Sequence, residues 1–304
     1  MNAAAPSRTA EYMALFRALE SARAPERRLF EDRDAASFLT PRLHAVVLAA
    51  RVPLLRRLII AFIDRRWPGP RLSAVARTRV IDDFVTGALD AGCSQLVLLG
   101  AGYDTRATRL PAAAGDAVFE VDHPATQQRK REALAGRAAH VRYVGVDFET
   151  DALASALAAA GLDRTQPSCI VWEGVFSYLT VAAIDRTLGA LVQACAPASR
   201  LMLTYVDERA LGGGSLAGSA WREAVSDVGE PFQTGLEPER AAEFFAARRM
   251  TLRSDESTTD AAHRLGVAGA ETIPDMYRLA ALELAPTSAP AASNVLALRQ
   301  SRCG

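Results

Sequence analysis

Residues 95–106, QLVLLGAGYDTR, decide the fold of this chain. The first five, Gln95–Leu99, are apolar apart from the glutamine, which is typical of a strand buried inside a parallel sheet. Gly100 and Gly102 follow with a single residue between them. Glycine at these positions permits a tight turn and lets backbone N–H groups approach a ligand closely. The stretch therefore predicts a buried strand that ends in a ligand-binding turn.

Glu120 and Asp122 stand at the end of a second predicted strand, Ala117–Val121, about twenty residues further on. A carboxylate at this point accepts hydrogen bonds from ribose hydroxyls, so the two strands predict the nucleotide-binding half of a doubly wound sheet. A dinucleotide fingerprint would have a third glycine at Thr105, opening the helix that binds the pyrophosphate. Its absence argues against NAD or FAD and favours a nucleotide cofactor without a pyrophosphate, for which S-adenosylmethionine is the obvious candidate.

Length, composition and net charge limit the classes of protein to which this chain can belong. The chain has 304 residues, 50% of them hydrophobic, which is enough for one large α/β domain with an added cap. Lys+Arg and Asp+Glu both number 35, so the net charge of zero gives no indication of a nucleic-acid partner. A local group of arginines is interpreted as a solvated helix face rather than a phosphate-binding patch. These arginines are Arg51, Arg56, Arg57, Arg65, Arg66 and Arg71.

The sequence also indicates a cellular compartment. The four cysteines form no CxxC pair, so we expect neither a metal site nor a disulfide framework, and a reducing cytoplasm suits them. The first twenty residues lack the uninterrupted apolar core of a signal peptide. The most apolar stretch, 44–63, is interrupted by a proline and three arginines, too often to span a membrane. We therefore expect a cytoplasmic protein without a membrane partner.

Beyond residue 95 the pattern alternates between strands and helices, which predicts an α/β fold with a doubly wound, mostly parallel sheet and a late antiparallel strand. The predicted strands are Gln95–Leu99, Ala117–Val121, His140–Val146, Ser168–Trp172, Arg200–Val206, Met250–Arg253 and Asn294–Leu298. Residues 1–72 are predicted to be all-helical. They form either a lid over the carboxyl ends of the strands or an extension with a structural role only. Residues 73–304 form the sheet domain, with a cap insertion around 208–247.

Four predicted strands are followed by a carboxylate, at Asp122, Asp147, Glu173 and Asp207. Ligands of open parallel sheets bind beyond the carboxyl ends of the strands, so several of these groups are expected to surround one small molecule. The alternative for any single one is a helix N-cap, and for Asp147 both interpretations are equally good. Glu173 lies in WEGVFSYL, whose apolar and aromatic residues are more typical of a pocket wall.

Four motifs, LLGAGYDTRATRLP, VFEVDHP, VGVDF and WEGVFSYL, resemble the leucine carboxyl methyltransferase family in their order and spacing. The family includes bacterial polyketide O-methyltransferases of the tetracenomycin type. The resemblance extends to TAEYMALFRALE and ARTRVIDDF and covers about residues 8–207, whereas 255–290 is weakly matched. It implies a class I, Rossmann-like methyltransferase fold with an N-terminal helical lid, and S-adenosylmethionine as cofactor.

The resemblance also assigns roles around the methionyl and ribose groups of the cofactor. Arg77, in ARTR, corresponds to the family arginine that pairs with the methionyl carboxylate. Gly100 and Gly102 would let the backbone approach the cofactor. Asp122 would hold the ribose hydroxyls, with Glu120 as the alternative in the same motif.

Further roles concern the adenine, the amino-acid end and the acceptor. Asp147 and Phe148 correspond to the pair that flanks the adenine, with a carboxylate for its amine and an apolar face for its ring. Glu173 matches the family glutamate near the amino-acid end of the cofactor. Arg17 roughly matches a basic residue of the lid, and Tyr178 would line the acceptor cavity; we name both as substrate-binding.

The expected chemistry requires no catalytic side chain. A carboxylate acceptor is ionised at neutral pH and needs only to be held in line with the sulfonium methyl. A phenol would benefit from a general base, for which His123 and His44 are the only candidates, both better interpreted as bystanders. We predict a methyltransferase acting on a carboxylate or hydroxyl of a small molecule, such as a secondary metabolite. The alternatives are methylation of a protein C-terminal carboxylate and a non-catalytic cofactor-binding scaffold or regulator.

Overall fold

A computed structural model describes residues 8–110, 113, 117–211 and 231–286. Its centre is a seven-stranded sheet with the order β3-β2-β1-β4-β5-β7-β6. The strands are β1 Gln95–Leu99, β2 Ala117–Asp122, β3 Val141–Gly145, β4 Ser168–Trp172, β5 Arg200–Val206, β6 Met250–Ser257 and β7 Tyr277–Leu284. β1 to β5 pair in parallel, while β7 lies antiparallel between β5 and β6. The predicted doubly wound, mostly parallel sheet with a late antiparallel strand is confirmed.

Helices cover both faces of the sheet and precede it. Those before the sheet are α1 Arg8–Ser21, α2 Pro41–Ala49, α3 Pro53–Arg66 and α4 Pro70–Asp90. Those that alternate with the strands along the chain are α5 Arg106–Arg109, α6 Pro124–Leu134, α7 Leu153–Ala159, α8 Val181–Ala194, α9 Glu208–Leu211, α10 Pro238–Ala246 and α11 Thr258–Arg264. α2, α3, α4, α6 and α10 have proline in their first turn, where its fixed φ suits a helix and its missing N–H costs nothing.

The late strands differ from the prediction. β6 begins at Met250 as predicted and runs on to Ser257. The strand that pairs with it is β7, in a stretch that the sequence did not mark as a strand. The predicted strand Asn294–Leu298 lies outside the described residues, as does residue range 212–230 of the predicted cap insertion.

The core consists of two apolar layers, one on each face of the sheet. In β1, Val97 and Leu99 face the layer under α7, α8 and α10, whereas Leu96 and Leu98 face the layer under α4. Because both faces are covered, every residue of β1 is buried, which is why an uninterrupted apolar run encodes it.

The N-terminal helices form a third apolar cluster and reach the carboxyl edge of the sheet. Leu15, Phe16 and Leu19 of α1 pack with Val47 of α2 and Ile63 of α3. α1 also lies along α4 and beside the turn that follows β1. Among the described residues, no helix combines the length and apolarity that crossing a bilayer requires.

Candidate functional site

The turn after β1 depends on glycine for two different reasons. Gly100 has φ +61°, and a β-carbon there would lie 2.2 Å from Cγ2 of Val175. Gly102 has φ +43°, but a β-carbon there would have no contact closer than 3.8 Å, to Ala10 of α1 and to the carbonyl oxygen of Gly100. Gly100 is therefore required by packing and conformation, whereas a β-carbon at Gly102 would make only ordinary van der Waals contacts, one of them with α1.

Asp122, the last residue of β2, is bound to this turn. One of its carboxylate oxygens accepts a hydrogen bond from the backbone N–H of Gly102 at 2.5 Å, and the other from that of His123 at 2.6 Å. Burial raises the pKa of Asp122, while the two N–H groups act in the opposite direction. The carboxylate thus lies at the carboxyl edge of the sheet, with acceptor capacity left for a further donor.

Glu120, the alternative in the same motif, lies deeper and has a structural partner. It is 1% exposed, and its carboxylate lies 2.8 Å from Nζ of Lys130 on α6. Burial raises its pKa to about 7 despite the neighbouring ammonium. Glu120 therefore belongs to a buried pair between β2 and α6, and Asp122 is the carboxylate that reaches the edge.

Glu173, directly after β4, lies between two arginines. Nε of Arg77 donates to one carboxylate oxygen at 2.7 Å, and Nη1 of Arg106 donates to the other at 2.8 Å. Burial would raise the pKa of Glu173, but the two guanidinium groups outweigh it and hold the pKa below its usual range. α4, the first residue of α5 and the loop after β4 thus place these three charges together.

The arginine–carboxylate network extends beyond the residues that the sequence singled out. Arg106 also donates to Asp82 and Asp104, and Arg109 donates to both oxygens of Asp82. Asp104 and Arg106 follow the glycine turn within GAGYDTR. The sequence therefore identified the motif, but it did not indicate the roles of these two residues. Asp104 is two residues from Arg106, whereas Asp82 and Glu173 are distant in sequence, so no local pattern indicates those two pairings.

Asp147 and Asp207 each accept a backbone N–H from the residue two positions further along the chain. Asp147 is exposed, and its carboxylate accepts from the backbone N–H of Glu149 at 2.9 Å. Asp207 accepts from the backbone N–H of Arg209 at 3.0 Å, in the first turn of α9. Phe148 is half-buried with its ring centroid 6.4 Å from that of Trp172. The helix N-cap interpretation thus applies to Asp207, whereas Asp147 is bound within a turn, since the next helix begins only at Leu153. A role for Asp147 and Phe148 at an adenine stays a prediction.

An aromatic wall lies next to the arginine–carboxylate pair. The guanidinium carbon of Arg77 lies 5.0 Å from the ring centroid of Tyr277. The Tyr277 ring contacts that of Phe232, which in turn lies 5.1 Å from the ring of Tyr178. Val206, at the end of β5, belongs to the same apolar cluster. A charged group and an apolar surface therefore meet at one edge of the sheet.

Arg17, His123 and His44 are not part of the cluster around Glu173. Arg17 donates to Asp32 at 2.8 Å and to the carbonyl oxygen of Tyr103 at 2.6 Å, which binds α1 to the loop after β1. His123 caps α6, with Nδ1 accepting from Ala125. His44 is exposed on α2. The structure does not bring Arg17 into the set around Glu173.

Taken together, this edge of the sheet offers a carboxylate for a diol, an arginine–glutamate pair for a zwitterionic group and an apolar wall. In the described part of the chain no group of three or more His, Cys, Asp or Glu residues suits a metal ion. The order of strands and this site define the class I methyltransferase fold. A sequence profile described as leucine carboxyl methyltransferase matches residues 10–192, and the chain belongs to that family.

Relatives are similar over part of their length. A protein of Mycobacterium sp. (strain KMS) named "Putative S-adenosyl-L-methionine-dependent methyltransferase" is 45% identical over 135 residues, 43% of this chain and 44% of the relative. A Mycobacterium bovis BCG protein of the same name is 40% identical over 164 residues, 50% of this chain and 47% of the relative. The chain thus spans less than half the length of these relatives.

Solved structures share the fold at low sequence identity. A DUF574 family protein of Streptomyces avermitilis aligns with a TM-score of 0.56 at 16% identity, over 88% of this chain and 96% of its own. A structure from Thermobifida fusca, titled as a putative methyltransferase, aligns with a TM-score of 0.53 at 19% identity, over 76% of this chain and 88% of its own.

Proposed function

We propose that this protein is an S-adenosylmethionine-dependent O-methyltransferase acting on a carboxylate or hydroxyl of a small molecule, such as a polyketide-like secondary metabolite. The observation that carries the proposal is the Arg77–Glu173 pair, at 2.7 Å, at the same sheet edge as the Asp122 carboxylate on its glycine turn. Membership in the leucine carboxyl methyltransferase family supports methyl transfer as the reaction.

The residues present suit this cofactor in charge and in space. Asp122 would accept hydrogen bonds from the ribose hydroxyls, and Gly102, which has no side chain, would let the backbone approach the cofactor beside it. Arg77, which is 5% exposed, would pair with the methionyl carboxylate through its planar fork. Glu173 would accept from the methionyl ammonium, and Arg106 holds the glutamate in place while Arg77 turns to the ligand.

The cofactor when bound supplies a methyl group on a sulfonium, which is already a strong electrophile. The chain's task is to hold the acceptor oxygen in line with that methyl group, because positioning alone accounts for a large part of such accelerations. A carboxylate acceptor needs no general base, since its pKa of about 4 leaves it ionised at neutral pH. The apolar wall of Tyr178, Phe232 and Tyr277 would exclude water and support an acceptor with an aromatic or aliphatic body.

Cofactor binding is tested by titration calorimetry. S-adenosylmethionine and its demethylated product should bind, and NAD should not. Arg77→Lys should weaken binding by on the order of tenfold or more, because a point charge cannot replace the bidentate fork. Arg79→Lys is the matched control two residues away, since Arg79 is half-buried, pairs with Asp83 and donates to the carbonyl oxygen of Leu29, away from Glu173. Tight binding of NAD alone, or equal small effects of both variants, would contradict the proposal.

The acceptor is tested with cofactor labelled on the methyl group. Cell extract is separated into small-molecule and protein fractions, each is incubated with the enzyme, and the labelled products are identified by mass spectrometry. Label in a methyl ester or ether of a small molecule supports the proposal. Label confined to a protein C-terminus identifies the protein carboxyl methyltransferase instead, and cofactor binding without transfer identifies a non-catalytic protein.

A further inference from the structure

α3 exposes a row of large apolar side chains instead of burying them. Leu54 is 65% exposed, Leu58 60% and Phe62 66%, and these residues recur every four positions along one face of the helix. The opposite face carries Ile59 and Ile63, which pack into the cluster under α1. Scattered exposed leucines are ordinary, but a helical row of them marks an interaction surface.

Arginines flank this row, and residues 41–67 contain no acid that is free to pair with them. The segment 41–67 contains six arginines, no lysine and one acid. The acid, Asp64, accepts hydrogen bonds from Nε and Nη2 of Arg71 at 2.8 and 2.6 Å. One arginine, Arg56, turns inward and donates to the carbonyl oxygen of Ala22 at 2.7 Å. The five that remain exposed are Arg42, Arg51, Arg57, Arg65 and Arg66.

An aromatic residue closes the row at its carboxyl end. Trp67 follows α3, is 39% exposed and meets the ring of Phe62 edge-on, with 6.5 Å between ring centroids. The guanidinium of Arg66 lies 5.0 Å from the Trp67 ring centroid. Tryptophan beside arginine is favoured at the boundary between lipid and water, since its ring is apolar and its N–H remains polar.

We propose that the exposed face of α3, together with Leu48 and Val52 at the turn before it, docks onto the surface of an anionic lipid bilayer. The helix lies in the interface plane, with Leu54, Leu58 and Phe62 inserted among the acyl chains and the arginines against lipid phosphates. The docking is peripheral and needs no spanning helix. It revises the expectation of no membrane partner and does not depend on the proposed function.

Charge distinguishes this partner from a second copy of the chain. A two-fold dimer formed through α3 would bring the five exposed arginines of one protomer against those of the other. An anionic bilayer complements them instead. Because the net charge of the whole chain is zero, such attraction arises from this face and not from the protein as a whole.

The test is binding of the purified full-length chain to vesicles in a flotation assay. Vesicles of phosphatidylglycerol and phosphatidylcholine should bind it at low salt, binding should fall as salt rises, and pure phosphatidylcholine vesicles should bind it much less. Leu58→Ser/Phe62→Ser should lower the partition coefficient by at least about tenfold without unfolding the protein, because both side chains are exposed. Brominated lipid should quench fluorescence in the wild type and less so in Trp67→Phe.

A matched pair of charge variants isolates the arginines. Arg57→Gln/Arg65→Gln should weaken vesicle binding on the order of tenfold. Arg253→Gln/Arg264→Gln changes the net charge equally, at exposed arginines on β6 and α11, and should leave binding unchanged. Equal effects of both pairs, or absent binding of the wild type to anionic vesicles, would overturn the proposal. So would a dimer in light scattering that Leu58→Ser/Phe62→Ser converts to monomer, since α3 would then face a second copy.

Discussion

Asp122 and Glu120 carry the same functional group two residues apart on β2, yet their surroundings differ. Asp122 accepts two backbone N–H groups at the sheet edge, whereas Glu120 is paired with Lys130 beneath α6. The sequence left both open as the ribose ligand, because strand residues two apart share a face. Only the position of α6 separates the edge carboxylate from the buried one.

This difference leads to a prediction for the two carboxylates. Asp122→Ala should lower cofactor affinity about ten- to a hundredfold, the loss of charge-assisted hydrogen bonds worth about 1.5–3 kcal/mol. Glu120→Gln should leave affinity unchanged and alter the pH dependence of unfolding instead, because it removes a buried carboxyl whose pKa is raised to about 7. Calorimetry and urea unfolding of both variants separate the two effects. An affinity loss confined to Glu120→Gln would assign the ribose to Glu120.

The arginine network contains some pairings that the sequence indicated and others that it did not. Arg77 and Glu173 were named from their motifs, and the structure brings them to 2.7 Å of each other. Arg106 and Asp104 stand together in the motif after β1, but nothing in the sequence indicated that Arg106 also reaches Asp82 and Glu173. A charged residue after a turn looks like any loop residue until the elements that carry its partners are packed.

Among the elements, the turn after β1 permits a paired test. Gly100→Ala should destabilise the fold strongly, because its β-carbon would overlap the side chain of Val175 and its φ is positive. Gly102→Ala should cost only about 1–2 kcal/mol for its φ, since no atom lies within 3.8 Å of the new carbon.

The same pair tests whether the ligand lies against Gly102. Gly102→Ala should reduce cofactor affinity more than its stability loss would suggest, whereas the fold defect should dominate in Gly100→Ala. Thermal unfolding with and without S-adenosylmethionine measures both quantities. A Gly102→Ala variant with undiminished cofactor affinity would place the ligand elsewhere.

Strands were predictable from sequence where they are buried on both faces. β1, β4 and β5 begin and end at the predicted residues, because continuous apolar runs with clear breaks encode them. β7 was missed although all but two of its residues are buried. Its sequence, YRLAALEL, contains alanine and leucine, which also suit helices, and it lies in the region where the family resemblance is weak.

At the scale of the whole molecule, the buried charges predict how stability depends on pH. Burial acts to raise the pKa of Asp104, but Arg106 and Lys130 outweigh it and lower that pKa to about 2. The pKa values of Glu173 and Asp32 are lowered as well. A carboxylate with a depressed folded pKa stabilises the protein above its unfolded pKa, and this contribution is lost as the pH falls through the folded value.

Stability should therefore fall between about pH 4 and pH 2, with Asp104 contributing on the order of 2 kcal/mol of the loss. Glu120 acts oppositely, because its pKa is raised to about 7 and its ionisation opposes folding as the pH rises from its usual value through neutrality. Urea unfolding from pH 2.5 to 8 should give a maximum between these limits. Asp104→Asn should flatten the acid limb, and the exposed control Asp83→Asn should not. An unchanged acid limb in Asp104→Asn would contradict the role of Asp104.

The position of β7 has a consequence for synthesis on the ribosome. β5 has its neighbour β4 as soon as both have emerged, but its other edge pairs only with β7, which is made about 80 residues later, or roughly 4–16 s at about 5–20 residues per second. Throughout that interval the nascent chain displays an unpaired strand edge of the kind that invites association with other chains. β7 then inserts between β5 and β6 and carries Tyr277 to Arg77, so the aromatic side of the candidate site is completed only when this late strand has been made.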